Sequence, residues 1–237
     1  MALDKEFRRI PYGDHPDQVV DLYAAPGGVQ QKTIILVHGG YWRTEFTKTL
    51  MEPLAYFCQG FGLNVANIEY RRGPEHGWPV PLEDVRQAVA AVKGVVDGPT
   101  YGVGHSVGGQ LVLLAEEQFD FIVALAPVTD AGRVFDEGLG DSAAQEYFRV
   151  GPDSAAAVYR AASALRQPAL DKDTLLVHGA NDVRVPLDHS RVYAAVQWEA
   201  GAPVDAFFLA NLSHISCIEP EHAVWNAIVQ WMGLTKS

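Results

Sequence analysis

Cysteine is scarce in these 237 residues: Cys58 and Cys217 are the only two, far apart and without metal-ligand spacing. That excludes a disulfide scaffold and a cysteine-rich zinc site, and leaves both as reduced core thiols. Cations are outnumbered, 18 lysines and arginines against 29 aspartates and glutamates, for a formal charge of -11. A field of that sign repels nucleic acid and anionic lipid, so neither is an expected partner. No apolar run approaches the roughly 18 residues of a membrane span. The opening "MALDKEFRRIPYG" also lacks the apolar centre of a signal peptide, and a cytoplasmic protein is expected. Internal repeats and low-complexity tracts are missing as well.

What is present is enough apolar material, 48% of residues, for one substantial core, so a single domain over residues 1–237 is expected. Short apolar runs alternate with longer segments of helical period, the pattern of an α/β protein with a mostly parallel sheet and helices on both faces. Eight strands are predicted: Phe7 to Ile10, Val19 to Tyr23, Thr33 to Val37, Leu63 to Glu69, Tyr101 to His105, Phe121 to Leu125, Thr174 to His178 and Asp205 to Leu209. In "PLEDVRQAVAAVKGVV", Leu82, Val85, Ala88, Val89 and Val92 recur every three or four residues, and Pro81 suits a first turn, so a crossover helix is predicted there. Residues 130–167 hold several small helical patterns and no obvious strand, which predicts a helical insertion of the kind that forms a lid.

Chemistry concentrates at the carboxyl ends of the strands, where ligands bind in open α/β sheets. "YGVGHSVGGQLVLLAEE" runs from a strand through Gly104-His105-Ser106-Val107-Gly108 into a helical pattern. This is a G-x-S-x-G elbow in its required context, a strained turn that lifts a serine above the sheet. A serine hydroxyl needs a base, and the chain order of such proteins requires an acid before the histidine. "TLLVHGANDVRVP" presents Asp182 after one strand, and "FFLANLSHISCIEP" presents His214 after the next. Ser106, Asp182 and His214 are therefore the candidate nucleophile, acid and base. Asp130, in "LAPVTD", is the rival acid, but the turn around Asp182 fits the role better.

Of the other histidines, His38 is expected to organise the glycine loop, His105 to act as an elbow spacer and His178 to pack in the core. His15, His76, His189 and His222 read as ordinary loop or helix residues, and Cys217 as packing. An oxyanion beside Ser106 needs N–H donors held ready. In "KTIILVHGGYW" a buried strand ends in a Gly-Gly pair, so Gly39 and Gly40, with the amide of Val107 opening the elbow helix, form the expected oxyanion hole. Tyr41 and Trp42 follow, and are expected to wall a substrate pocket suited to an aryl group, with the alternative that one of them, Trp42 before Tyr41, packs beneath the glycine loop. A serine mechanism of this kind needs no metal and no cofactor.

Taken together, the chain resembles an α/β-hydrolase of the hormone-sensitive-lipase-like branch, most of all the kynurenine formamidases (arylformamidases). The resemblance rests on "IPYGDHPDQVVDLYAAP", "HGGYW", "EYRRGPEHGWPVPLEDV" and "GHSVGG", with HGGYW the most specific. Two features depart from that family: Val107-Gly108-Gly109 stand where alanines are more usual, and the 130–167 segment matches no family pattern. The resemblance implies a serine hydrolase that removes a formyl or short acyl group from a small aryl amide or ester. N-formylkynurenine hydrolysis in tryptophan catabolism is the first expectation. A broad-specificity carboxylesterase for short-chain esters is the alternative, and a catalytically silent hydrolase fold serving as a binding module is the remote one. A small molecule is the expected partner, and a homodimer is left open.

Overall fold

The computed structural model describes residues 7–25 and 32–234; the first six residues of the segment read against a leader lie outside them. Its centre is an eight-stranded sheet in the order β1-β2-β4-β3-β5-β6-β7-β8. These strands are Arg8–Pro11, Val19–Tyr23, Thr33–Val37, Asn64–Ile68, Thr100–His105, Phe121–Leu125, Asp173–Gly179 and Val204–Leu209, β1 to β8 in chain order. β2 runs antiparallel to both its neighbours, and every other pairing is parallel. All eight predicted strands are present within a residue or two of their expected ends. β1 reaches on to Pro11 because an edge strand does not need the amide hydrogen that proline lacks.

β3 is buried along its whole length, with alternate side chains feeding two cores. Ile35 and Val37 join α2 (Val80–Lys93), α3 (Val107–Leu114) and α7 (Asp188–Glu199) on one face. Ile34 and Leu36 join α1 (Glu52–Gln59) and α8 (Val224–Trp231) on the other. This alternation explains the unbroken apolar run, since both faces of the strand are covered. The helical spacing in α2 has the predicted consequence: Leu82, Val85, Ala88, Val89 and Val92 are all buried. Among the described residues no helix is long and apolar enough to cross a membrane.

Between β6 and β7 the chain makes the expected helical excursion, as α4 (Ala131–Asp136), α5 (Leu139–Phe148), α6 (Ala156–Ala161) and a 3-10 turn at Ala164–Arg166. The first residues of α5, Gly140 to Ser142, have left-handed backbone angles. The excursion packs Ala143, Ala144 and Tyr147 into the same core as Tyr41 and Trp42, so it is continuous with the glycine loop.

Candidate active site

Four loops at the carboxyl ends of β3, β5, β7 and β8 converge. Ser106 sits between β5 and α3 with φ 57° and ψ -117°, a conformation that L-residues adopt only under constraint. The constraint is visible: the Ser106 N–H donates to the Leu125 carbonyl at 2.8 Å, and the Ser106 carbonyl accepts from Gln110 N at 3.1 Å. The two glycines of the motif are needed because the backbones touch. A Cβ at Gly104 would collide with the Gly108 carbonyl, and one at Gly108 with the Val37 carbonyl.

Asp182 and His214, 32 residues apart in sequence, are brought together: His214 Nδ1 donates to Asp182 Oδ2 at 2.6 Å. A carboxylate only accepts, so the His214 proton resides on Nδ1 and Nε2 is left as the acceptor. The other Asp182 oxygen takes the N–H groups of Arg184 and Val185 at 2.8 and 2.9 Å. Burial alone pushes the Asp182 carboxyl up. The hydrogen bonds from His178 and His214, the charge of His214 and the Val185 N–H outweigh it and hold the group well below the usual carboxylate range. Asp130, the rival, is spent elsewhere. It caps α4 through Gly132 N at 3.0 Å and pairs with Arg166 at 3.1 Å.

Two histidines do more here than the sequence suggested. His178 Nε2 lies 2.9 Å from the Val185 carbonyl and 3.1 Å from Asp182 Oδ2. Both are acceptors, so Nε2 donates and Ser190 Oγ donates to Nδ1 at 2.7 Å. His178 is thus a core residue that also steadies the acid, and its one sequence signal is the four-residue step across the HGAND turn. His105, read as an elbow spacer, donates from Nε2 to the His214 carbonyl at 3.0 Å, and its ring lies 4.5 Å from that of His214. Burial, followed by the charge of His214, lowers the His105 pKa well below the ordinary histidine value.

Ser106, His105 and His214 face one cavity of about 110 Å³, with Gly40, Tyr41 and Ile218 among its other walls. Larger hollows, such as one of about 690 Å³ beside β8, contain none of the three. Gly39 packs against the elbow so closely that a Cβ would lie 2.7 Å from that of Ser106. Gly40 has φ +124° and abuts Phe46. Val107 opens α3, where the first N–H groups of a helix have no partner within it. His38 stands under this loop as expected. Its Nδ1 is 2.7 Å from the Gly39 carbonyl and its Nε2 2.8 Å from Glu69 Oε1.

Tyr41 and Trp42 part company. Tyr41 lines the cavity, its hydroxyl donating to the Arg184 carbonyl at 2.5 Å and its ring packed over Gly140. Trp42 does not line the cavity, so of the two sequence readings the one in which it packs beneath the loop fits. It is 1% exposed, stacks on Tyr147 at 5.3 Å and donates from Nε1 to Gln110 Oε1 at 3.1 Å. Consecutive positive φ values, 51° and 60°, turn the two side chains to opposite sides of the loop.

Two family profiles match: the prolyl oligopeptidase family over residues 81–232, and BD-FAE over residues 20–118. Esterase LipC of Mycobacterium tuberculosis (strain ATCC 25618 / H37Rv) is 32% identical over 122 residues, 46% of this chain and 29% of that protein. The chain therefore matches less than a third of that relative's length. A truncated carbohydrate esterase from gut microbiota shares the fold at TM-score 0.83, with 18% identity over 95% of this chain and 94% of its own. Esterase B from Lactobacillus rhamnosis (HN001) does so at TM-score 0.80, with 18% identity over 96% and 83% of the two chains. The strand order, the elbow and the longer profile match agree, and the chain belongs to the prolyl oligopeptidase family, on an α/β-hydrolase fold.

Proposed function

We propose that this protein is a serine carboxylesterase for short acyl groups. One observation carries the reading: a strained Ser106 and an Asp182-oriented His214 open into the same small, mostly apolar cavity. At about 110 Å³ it is much smaller than the hollow of about 690 Å³ beside β8. Such a space suits a formyl to butyryl group better than a long chain. The esterase names of the relatives above support ester hydrolysis.

In this reading the Ser106 Oγ attacks the acyl carbonyl while His214 Nε2 takes its proton. The carbonyl oxygen becomes an oxyanion held by N–H groups of the Gly39–Gly40 loop and of Val107. His214 then protonates the departing alcohol or amine, leaving acyl-Ser106. Water, deprotonated by His214, releases the acid and restores the serine. Asp182 holds the imidazole in the required tautomer throughout.

The finer reading is an arylformamidase, and Tyr41 favours it. An aromatic wall bonded to the acid turn faces an aryl leaving group, and HGGYW carries the same residue pair as the formamidases. A panel of p-nitrophenyl esters from acetate to decanoate, run beside N-formylkynurenine, tests both. Acetate to butyrate are cleaved well and chains beyond about eight carbons poorly, because opening the cavity disrupts packing. Ser106→Ala loses about 10⁴ to 10⁶ of kcat. Long-chain preference, or a variant retaining a tenth of the rate, overturns the esterase reading. A kcat/KM for N-formylkynurenine at least tenfold below that for p-nitrophenyl butyrate removes the formamidase reading alone.

A further inference from the structure

Arg184 brings a cation to the wall of the Ser106 cavity, two residues beyond Asp182. Its main chain is fixed on both sides, the N–H by Asp182 Oδ1 at 2.8 Å and the carbonyl by the Tyr41 hydroxyl at 2.5 Å. Its guanidinium, by contrast, forms no ion pair among the described residues. Other arginines do pair, Arg43 with Glu146 at 2.8 Å, Arg71 with Asp84 at 2.8 Å and Arg72 with Glu69 at 2.7 Å. Arg8, Arg149, Arg160 and Arg191 share with Arg184 the lack of an ion pair among the described residues, but of these five only Arg184, itself exposed, borders the Ser106 cavity. Acids are not lacking, at 29 against 18 bases. The acid nearest in the chain, Asp182, has both oxygens taken by His214, His178 and two N–H groups.

The remaining walls beside Arg184 are apolar or aromatic, with Phe46, Leu50, Ile215 and Ile218 around the opening. Leu50 and Ile215 are themselves exposed, so the opening leads out over an apolar surface. Arg184 is itself exposed, so its charge is partly screened and a contact it makes is modest and salt-dependent. The planar guanidinium fork also matches a carboxylate in two parallel hydrogen bonds.

We propose that Arg184 recognises an anion, and that the preferred substrate is a short acyl ester or amide whose leaving group bears a carboxylate. This rests on the short-acyl hydrolase reading above. The carboxylate belongs to the leaving group because about 110 Å³ suits a short acyl group better than a longer chain. The acyl carbon meets Ser106 inside, the leaving group extends past Leu50 and Ile215, and its carboxylate receives the Arg184 fork.

The test compares 4-acetoxybenzoate with its neutral isostere 4-acetoxybenzamide. For each enzyme the ratio of the two kcat/KM values is taken, and the wild-type ratio is divided by that of Arg184→Gln. This double ratio cancels the unequal intrinsic reactivity of the two leaving groups. A charge-assisted contact at a partly exposed site gives a value of about five to ten, shrinking in 0.5 M salt and partly restored by Arg184→Lys. A value within twofold of one overturns the proposal while leaving the hydrolase reading intact. Calorimetric titration with benzoate and benzamide reads the same contact without turnover. Preference for benzoate that Arg184→Gln abolishes supports the anion contact; failure to cleave either ester or any of the p-nitrophenyl esters removes the hydrolase reading instead. Equal binding of benzoate and benzamide by the wild type overturns the anion contact.

Discussion

The two sides of Ser106 are held by different means. On the glycine-loop side, His38, Glu69, Tyr70 and Arg72 are all buried and mutually bonded beneath Gly39 and Gly40. Tyr70 stacks on His38 at 4.5 Å and donates to its carbonyl at 2.8 Å, while Arg72 reaches Glu69 at 2.7 Å. Burial pushes the Glu69 carboxyl up, but the His38 hydrogen bond, the charges of His38 and Arg72 and the Lys48 N–H outweigh it, and its pKa falls below the ordinary value. On the acid–base side, Asp182 and His214 ride on loops whose next residues, Val183 and Ile215, are 91% and 51% exposed. A few hydrogen bonds from His178 and His105 pin those loops. The comparison teaches that the glycine loop proposed to hold an oxyanion rests on a buried, mutually bonded polar cluster. His214 is held by a few hydrogen bonds with other loops, to Asp182 and from His105, on a more exposed stretch of chain. Damage on the first side should appear as lost stability, and damage on the second as lost rate.

The sharpest way to break this comparison is at the acid. Asp182→Asn is expected to lower kcat by about 10³ to 10⁴, because an amide cannot hold His214 in the Nδ1-protonated tautomer. Its effect on folding should be much the smaller of the two. Asp130→Asn, which weakens only a helix cap, should lower kcat less than tenfold. Steady-state rates on p-nitrophenyl acetate rank the two, and the reverse order would transfer the role to Asp130.

A second effect, smaller in rate and larger in stability, belongs to the other side. Trp42→Ala empties a site stacked on Tyr147 and bonded to Gln110, and should cost about 3 to 5 kcal/mol in urea unfolding. Val183→Ala, at a solvated tip, should stay within about 0.5 kcal/mol. A Trp42 cost below about 1 kcal/mol would remove the distinction between the two sides.

The smallest expected effect sharpens the acid–base side by pH. His105 is lowered by burial and by the charge of His214, and His189 by burial and by the charge of Arg133, both below the ordinary histidine value. A histidine depressed on folding takes up a proton on unfolding. Its stabilising contribution is therefore complete above about pH 6.5 and is lost as pH falls toward the folded value, with a slope of at most about 1.4 kcal/mol per pH unit for each proton. Unfolding measured between pH 7 and 5 should show this decline, and His105→Asn should flatten it by about half. An unchanged slope would mean that His105 carries no such proton.

Much of this arrangement is legible in the sequence itself. The elbow glycines could be read because local geometry leaves no alternative: two backbones meet where a Cβ would intrude. Asp182 and His214 were legible from their place after successive strands. His178 and His105 were not read as supports, because a histidine at a strand end gives no sign of which carbonyl or carboxylate a distant loop will bring to it. Arg184 was overlooked for a related reason, since an unpaired charge shows itself only when every neighbour is known.

The sequence by itself determined the layers, the order of the strands along the chain and the residues that could do chemistry. Apolar period, glycine placement and strand order are properties of neighbouring residues. Only the tertiary structure decided which of Tyr41 and Trp42 faces the cavity. That choice depends on Tyr147 and Gly140, about a hundred residues onward, which stack on one ring and pack beneath the other. It likewise decided how small the cavity is and which charge borders it, because both arise from side chains of four separate loops that meet only when the sheet has formed.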